Sequence, residues 1–243
     1  MPDWLTARPV AHRGLHDAAN GVIENTPSAF EAAIAGHYAI ECDIQISADG
    51  EAMVHHDDVL GRLTDGAGRL DAMPAAELKR VAFKATKDRM LTLGELCELV
   101  AGRATLVIEI KSRFDGDLRA PHRAAQVLQN YQGPVALMSF DPGQITALRD
   151  LAPGLLRGLV GWRPDRTREK SPSTGAAAKF VLQALSARLQ FLAYRVSDLP
   201  SPVPGFARNV LGLPLLTWTV RTPEDRRRAA QHADQIIFEG FRP

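Results

Sequence analysis

Short runs of β-forming residues alternate with helical segments along the whole chain, and no other feature constrains the fold as strongly. The runs that predict strands are Pro9–His12, Ala39–Ile46, Thr105–Lys111, Val135–Ser139, Leu155–Val160, Phe191–Arg195, Leu215–Val220 and Gln235–Glu239. Strands that alternate with helices are typical of a parallel sheet. Eight such units in 243 residues indicate a closed (β/α)8 TIM barrel. We therefore expect one α/β domain over residues 1–243.

Helical patterns occupy most of the gaps between these strands. In the first gap, Thr26 is a good N-cap and Pro27 a good first helical residue. The other predicted helices are Leu93–Val100, Ala120–Tyr131, Pro142–Leu151, Ala176–Arg188 and Pro223–His232. No helical pattern follows the last strand, so we expect the N-terminal segment, or a second subunit in a homo-oligomer, to cover it.

One connection departs from the alternation of strands and helices. The pair Asp49-Gly50 after the second strand is a hairpin turn signal, and a parallel crossover would need a dozen or more residues. The segment after the turn should therefore return antiparallel to the second strand and carry His55 and His56 towards Asp43. Residues 58–89 then form a short insertion before the third barrel strand.

The charge balance and the apolar segments exclude two classes of partner. Lys and Arg number 29 against 28 Asp and Glu, which leaves a net charge of +1. Because binding to a nucleic-acid backbone calls for a strongly basic face, we expect no nucleic-acid partner. No apolar run approaches the roughly 20 residues of a membrane span, and the N-terminus lacks a signal-peptide pattern. We therefore expect a cytoplasmic protein without stable membrane insertion.

Two strands carry polar residues on one face only. Glu41 and Asp43 share one face of the second strand, and Glu109 and Lys111 share one face of the third, because alternate residues of a strand point the same way. Helices cover the outside of a barrel, so this polar face should point into its mouth. Three converging carboxylates suit a hard divalent cation. The alternative is a buried ion-pair cluster around Lys111.

Two histidines follow predicted strands that lead towards the same mouth. His12 ends the first strand, directly before Arg13, and His56 ends the hairpin. Cleavage of a phosphodiester needs one base and one acid, and histidine can serve as either near neutral pH. Arg13 or Lys111 would balance charge on the phosphoryl oxygens. The remaining histidines are interpreted as structural or surface residues: His16, His37, His55, His122 and His232.

Several different short motifs follow one another from the first predicted strand to the last. They are His12-Arg13-Gly14, Glu24-Asn25-Thr26, Glu41-x-Asp43, His56-Asp57, Glu109-Ile110-Lys111, Ser139-Phe140 and Trp218-Thr219-Val220. Together they make the chain resemble the short, cytoplasmic bacterial type of the glycerophosphodiester phosphodiesterase family. The resemblance implies a (β/α) barrel and the hydrolysis of a glycerophosphodiester to glycerol 3-phosphate and an alcohol.

The same resemblance implies a role for each polar residue of the mouth. Glu41, Asp43 and Glu109 would bind one divalent cation, Mg²⁺ or Ca²⁺. His12 and His56 would be the general acid and base.

Four further residues would contact the substrate. Arg13 and Lys111 would hold its phosphate. Trp218 would wall the substrate pocket, unless it only packs within the barrel. Glu239 stands where the family usually has an aspartate, and we expect it to bind substrate as well.

Two other functions share part of this pattern. A phospholipase D-like enzyme that acts on lysophospholipids or sphingolipids would keep the two histidines and the Glu-x-Asp pair. It should also show an apolar rim, for which Phe114 and the loop after Trp162 are the candidates. A non-catalytic barrel that only binds phosphodiesters would be expected to have lost a histidine or a metal ligand, and none is lost here.

Overall fold

The strands of the chain form one closed parallel barrel and a small second sheet. The computed structural model describes residues 2–163, 182 and 186–243, so most of the predicted helix Ala176–Arg188 lies outside the described residues. The strands in chain order are β1 (Val10–Ala11), β2 (Ala39–Ile46), β3 (Ala52–Val54), β4 (Val59–Leu60), β5 (Gly68–Arg69), β6 (Leu106–Ile110), β7 (Val135–Ser139), β8 (Leu156–Gly161), β9 (Phe191–Arg195), β10 (Leu215–Val220) and β11 (Gln235–Phe238). Eight of them pair in parallel in the order β1-β11-β10-β9-β8-β7-β6-β2, and β1 also pairs with β2, which closes the ring. The predicted (β/α)8 TIM barrel is confirmed.

The predicted hairpin after β2 is also present. Strand β3 runs antiparallel to β2, with Ile46 opposite Ala52, and the backbone N–H of His55 donates to the carbonyl of Asp43 at 3.0 Å. The hairpin therefore delivers His56 to the carboxyl end of β2. The insertion that follows contains β4 and β5, and its apolar residues form a separate buried cluster that includes Leu70 and Leu78.

The described helices lie where the sequence pattern placed them, with two additions. They are α1 (Pro27–Ala35), α2 (Ala75–Leu78), α3 (Leu93–Val100), α4 (Arg119–Leu128), α5 (Pro142–Leu151), α6 (Pro202–Asn209) and α7 (Pro223–His232). Neither the single turn α2, in the insertion after the hairpin, nor α6 was predicted. The prolines of α6 resemble a loop. Both Pro202 and Pro204 lie in the first turn, where backbone N–H groups have no helical partner to lose. Among the described residues, no helix is long and apolar enough to cross a membrane.

The entry into α1 differs in one detail from the expected cap. Thr26 occupies the N-cap position with extended backbone, and Pro27 is the first helical residue. The Thr26 hydroxyl, however, donates to the carbonyl of Ile23 at 2.7 Å instead of accepting from the helix. Thr26 thus ties the helix to the preceding turn, which contributes Glu24 and Asn25 to the mouth of the barrel.

The inside of the barrel is apolar towards the amino ends of its strands. Leu5, from a short turn of 3₁₀ helix at Asp3–Leu5, is buried there together with Val10, Phe191 and Leu216. These side chains fill the amino end of the barrel interior. Polar groups that point inwards are consequently concentrated at the opposite, carboxyl end, where active sites of this fold lie.

Residues near both ends of the barrel cover the outer face of the eighth barrel strand. The ring of Phe238 packs edge-on against Tyr38, with centroids 5.0 Å apart, and against Phe241 at 5.4 Å. The Arg226 guanidinium lies 5.0 Å above the Phe241 ring. The N-terminal segment, which together with a second subunit we considered as the cover of this strand, places Leu5 inside the barrel. Its Thr6 carbonyl accepts a hydrogen bond from the side chain of Gln235, the first residue of the strand, at 2.7 Å.

Candidate active site

Three carboxylates converge at the carboxyl end of the barrel. Asp43 of β2 lies opposite Glu109 of β6 in the parallel register, and Glu41 precedes Asp43 on the same face. Each residue offers one oxygen, and these oxygens all lie within 4.8 Å of one another. Relative exposure is 1% for Glu41 and Asp43 and 7% for Glu109. The strand period therefore brings together the three residues that the sequence singled out as metal ligands.

Two cations and one amide hold the middle carboxylate. The Lys111 ammonium lies 2.8 Å from Oδ1 of Asp43 and 2.6 Å from Oε1 of Glu109. On the other oxygen, Nε of Arg13 lies 3.2 Å away, and Nδ2 of Asn25 donates at 2.9 Å. Asp43 is thus fully engaged, whereas Glu41 receives one hydrogen bond, from the backbone N–H of Arg13 at 2.9 Å.

The charges of the cluster are unevenly balanced. Burial raises the pKa of Glu41 well above its usual value, and repulsion from Asp43 and Glu109 adds to the effect. Burial also raises the pKa of Glu109, to about 7, although Lys111 opposes it. Burial acts in the same direction on Asp43, but Lys111 and Arg13 outweigh it and lower the pKa of that carboxyl.

The donor set fits a divalent cation. The raised pKa values of Glu41 and Glu109 mean that nearby cations do not fully balance their negative charges. Three carboxylate oxygens at this separation are also the kind of ligand that Mg²⁺ and Ca²⁺ prefer. Lys111 supplies part of that charge, as the ion-pair interpretation of the sequence expected. The two interpretations therefore describe the same cluster, in which one lysine and one metal ion would share three carboxylates.

His12 is held by a carboxylate from the other end of the chain. Its Nδ1 atom lies 2.6 Å from Oε2 of Glu239, and a carboxylate can only accept, so His12 donates through Nδ1. Its Nε2 atom faces the cluster, 4.0 Å from Glu41 Oε2. Burial lowers the pKa of His12, although the hydrogen bond to Glu239 opposes this.

His56 has the same kind of support. Its Nδ1 atom lies 2.8 Å from Oδ1 of Asp57, and Nε of Arg62 donates to the other Asp57 oxygen at 2.6 Å. Gln45 of β2 donates to the His56 carbonyl at 2.8 Å. Burial lowers the pKa of His56 as well, while Asp43 opposes the shift. Both histidines are therefore oriented through Nδ1, with Nε2 left for chemistry.

The backbone between His12 and the first helix is tightly constrained. Arg13 has a φ of +57°, and its guanidinium donates to Oε1 of Glu24 at 2.7 Å. Gly14 has a φ of +79°, and a Cβ atom there would lie 2.8 Å from the backbone of Ala29. Only glycine allows α1 to approach the strand end this closely. Arg13 is thereby presented to Asp43 and Glu24 together.

Sequence reasoning missed the roles of Glu24 and Asn25. The Asn25 amide donates to the Asp43 carboxylate, and its carbonyl oxygen accepts from the Asp43 backbone N–H at 3.2 Å. Glu24 pairs with Arg13, the residue after His12, and with Arg62, which also bonds Asp57. Their place in the motif Glu24-Asn25-Thr26 was the available signal, but the motif alone did not say what they contact.

Glu239, which we expected to bind substrate, accepts hydrogen bonds from protein groups. Its carboxylate receives the His12 hydrogen bond and two more from Arg221, at 2.9 and 3.2 Å. The reason is the closure of the barrel: Ala11 of β1 lies opposite Phe238 of β11, so the residues that follow them also meet. Glu239 faces protein groups on both oxygens.

Aromatic side chains line one side of the mouth. The Trp218 ring lies edge-on to Phe140, with centroids 5.5 Å apart, and Phe140 meets Trp162 in the same way at 4.9 Å. Trp218 is half-buried and packs on the apolar interior of the barrel, and Trp162 is 46% exposed. This placement is compatible with both roles considered for Trp218, as a wall of the substrate pocket and as a packing residue of the barrel. The loop that follows Trp162 lies, beyond Arg163, outside the described residues.

A cavity of about 290 Å³ opens on the other side, beside the hairpin. His56 and Lys111 line it, together with Gln45, Ser112 and Arg113. The lining also includes five aspartates, and Arg113 is paired with two of them, Asp71 and Asp115. Lys111 is the basic side chain that this cavity shares with the three-carboxylate cluster.

Comparisons with known proteins agree with one another over nearly the whole chain. Residues 12–239 match the model of the Glycerophosphoryl diester phosphodiesterase family. A glycerophosphodiester phosphodiesterase of Caldanaerobacter subterraneus subsp. tengcongensis is 29% identical over 232 residues, which cover 90% of this chain and 88% of that protein.

Solved structures of such proteins share the fold. A phosphodiesterase from Oleispira antarctica, in complex with the product sn-glycerol-3-phosphate, aligns with a TM-score of 0.78 at 20% identity over 95% of this chain and 91% of that one. The glycerophosphodiester phosphodiesterase of Thermotoga maritima aligns with a TM-score of 0.72 at 25% identity over 95% and 94%. These matches confirm the resemblance inferred from the sequence motifs.

Proposed function

This chain belongs to the glycerophosphoryl diester phosphodiesterase family and is a phosphoric diester hydrolase, and we propose that it cleaves glycerophosphodiesters by using one divalent cation and two histidines. The products would be glycerol 3-phosphate and the alcohol of the head group. The observation that carries the proposal is the pairing of His12 with Glu239 and of His56 with Asp57, each through Nδ1, beside a cluster of three carboxylates.

The cluster of Glu41, Asp43 and Glu109 would hold the cation. When bound, Mg²⁺ or Ca²⁺ would supply positive charge to the phosphoryl oxygens and to the carboxylates. Lys111 lines the cavity and lies against two of the carboxylates, so it would face the phosphate as a point charge. Arg13, held by Glu24, would add a second positive charge from the first strand end.

The two histidines would divide the proton transfers. Burial lowers the pKa of both imidazoles, which favours a neutral ring whose Nε2 can accept a proton, whereas the carboxylates beside them favour the cationic ring whose Nε2 can donate one. The active form has one histidine in each state. The histidine next to the attacking oxygen acts as base. The other acts as acid towards the leaving alcohol, and its cationic form is stabilised by the carboxylate on Nδ1. Glu239 and Asp57 are positioning residues in this scheme, each bonded to the Nδ1 atom of its histidine.

An assay of released glycerol 3-phosphate tests the proposal. Glycerophosphocholine should yield it in the presence of Mg²⁺ or Ca²⁺, and a chelator should abolish the release. Unchanged turnover in excess chelator would overturn the role of the cation. Lysophosphatidylcholine distinguishes the alternative substrate class, for which the exposed Phe114 and Trp162 would supply the apolar rim. Choline release from it at a higher kcat/KM would assign the enzyme to lysophospholipids instead.

A further inference from the structure

A second group of potential metal ligands lies beside the three-carboxylate cluster. His12 and His16 follow β1, and Glu239 follows β11; one ligand atom from each lies within 4.8 Å of the others. Oε2 of Glu239 is 2.6 Å from Nδ1 of His12 and 3.9 Å from Nε2 of His16. This group shares no residue with Glu41, Asp43 and Glu109.

His16 is the member that ordinary packing does not explain. Its Nε2 atom is buried, yet it has no hydrogen-bond partner among the described residues. It points at Glu239 from beyond hydrogen-bond distance. Buried polar atoms are nearly always paired, so a ring nitrogen in this position is better suited to a group between it and the carboxylate.

We propose that His12, His16 and Glu239 form an inhibitory site for a borderline transition-metal cation, with Zn²⁺ as the representative ion. Two imidazole nitrogens and one carboxylate oxygen are a recurrent zinc ligand set. Mg²⁺ and Ca²⁺ prefer oxygen ligands throughout and would favour the three-carboxylate cluster instead. The two neighbouring sites thus select cations of different chemistry.

The separations of the donor atoms suit a tetrahedral ion after small side-chain movements. Bonds of roughly 2.0–2.1 Å place tetrahedral donors about 3.3 Å apart. The distance from Glu239 to His12 would lengthen from 2.6 Å, and that to His16 would shorten from 3.9 Å. Arg221 donates to both Glu239 oxygens: the bond to Oε1, at 2.9 Å, would remain, and the ion would replace the longer one to Oε2, at 3.2 Å.

Binding at this site would stop His12 from acting as acid or base. The ion would bind Nδ1 and take Glu239 as a ligand, and the single proton of the neutral ring would move from Nδ1 to Nε2. Nε2 would then have no free lone pair with which to accept a proton, and the ring could not cycle between its neutral and cationic forms. The inhibitory part of this inference rests on the proposed function of His12, whereas the binding part does not.

The experiment uses the enzyme saturated with Mg²⁺, to which Zn²⁺ is added. Calorimetry measures Zn²⁺ binding, and Co²⁺ as a substitute reports a nitrogen-containing site by its visible absorption. The informative variant is His16→Gln, and His122→Gln on the exposed face of α4 is the matched control. We expect His16→Gln to keep its turnover and to weaken Zn²⁺ binding and inhibition by at least about tenfold, since even an outer ligand partner is worth that much.

Three results would overturn the inference. The first is the absence of Zn²⁺ binding to the Mg²⁺-saturated wild type. The second is equal Zn²⁺ affinity in His16→Gln and His122→Gln. The third is relief of inhibition by competing Mg²⁺, which would place Zn²⁺ on the three-carboxylate cluster. An inactive wild type that still binds Zn²⁺ through His16 would refute the proposed function and leave this site standing.

Discussion

His12 Nδ1 and Glu239 Oε2 lie 2.6 Å apart although 227 positions separate the two residues in the chain. The contact exists because the first and last barrel strands pair. It gives His12 the carboxylate support that Asp57 gives His56 from the adjacent position in the sequence. The two candidate catalytic histidines are therefore supported in the same way, one by a distant residue and one by its neighbour.

Loss of the Glu239 charge should weaken the acid–base function of His12 without abolishing it. In Glu239→Gln the side chain can still bond Nδ1, but the cationic imidazole loses its counter-charge. We expect kcat to fall about tenfold or more, with little change in KM. Because Glu239 raises the pKa of His12 against burial, the pH-rate limb that reports His12 should move to lower pH. Glu239→Asp, which keeps the charge, should keep the limb near its wild-type position; equal profiles for all three proteins would refute the positioning role.

Removal of either histidine should abolish most of the turnover. We expect His12→Ala and His56→Ala each to lower kcat by about 10²–10⁴, as the loss of a general acid or base does. Neither side chain belongs to the three-carboxylate cluster, so Mg²⁺ affinity should stay close to that of the wild type. His122→Ala on the exposed face of α4 is the control. If His56→Ala keeps near-normal turnover, the role passes to His55, the next histidine in the hairpin.

Lys111 and Arg13 should differ in their effect on the metal. Lys111 contacts both Asp43 and Glu109, whereas Arg13 contacts Asp43 and is shared with Glu24. Substitution of either residue by methionine should weaken substrate binding. Lys111→Met should also tighten Mg²⁺ binding, because two carboxylates lose their counter-charge, and Arg13→Met should do so less. Calorimetric titration decides: equal Mg²⁺ affinity in the two variants would exclude Lys111 as the main counter-charge of the cluster.

The metal-free enzyme should lose stability as the pH rises towards neutrality. Burial raises the pKa of Glu109 from 4.5 to about 7, so its contribution to stability is fully present below pH 4.5 and is lost as the pH rises through 7. In excess chelator, the Tm of the wild type relative to Glu109→Gln should therefore fall between pH 5 and pH 8.

Excess Mg²⁺ should reverse this fall in the wild type alone, because the ion replaces the missing positive charge. A constant Tm difference between the two proteins across this pH range would show that Glu109 is not a strained carboxyl in the absence of metal.

Local patterns in the sequence were sufficient to predict the strands of the barrel and to select the candidate metal ligands. Four strands have the predicted bounds: Ala39–Ile46, Val135–Ser139, Phe191–Arg195 and Leu215–Val220. The common face of Glu41 and Asp43, and that of Glu109 and Lys111, follow from the two-residue period of a strand. A period of this kind is a property of the backbone and does not depend on distant parts of the chain.

Contacts between distant segments were decided only by the closed barrel. The sequence alone determined that His12 and His56 follow strands and that the three carboxylates lie on the inward faces of two strands. It did not determine that Glu239 would bond His12, that Asn25 would bond Asp43, or that Leu5 would pack inside the amino end of the barrel. Each of these contacts depends on which strands become neighbours and in what register, because a shift of one residue would turn each side chain to the opposite face.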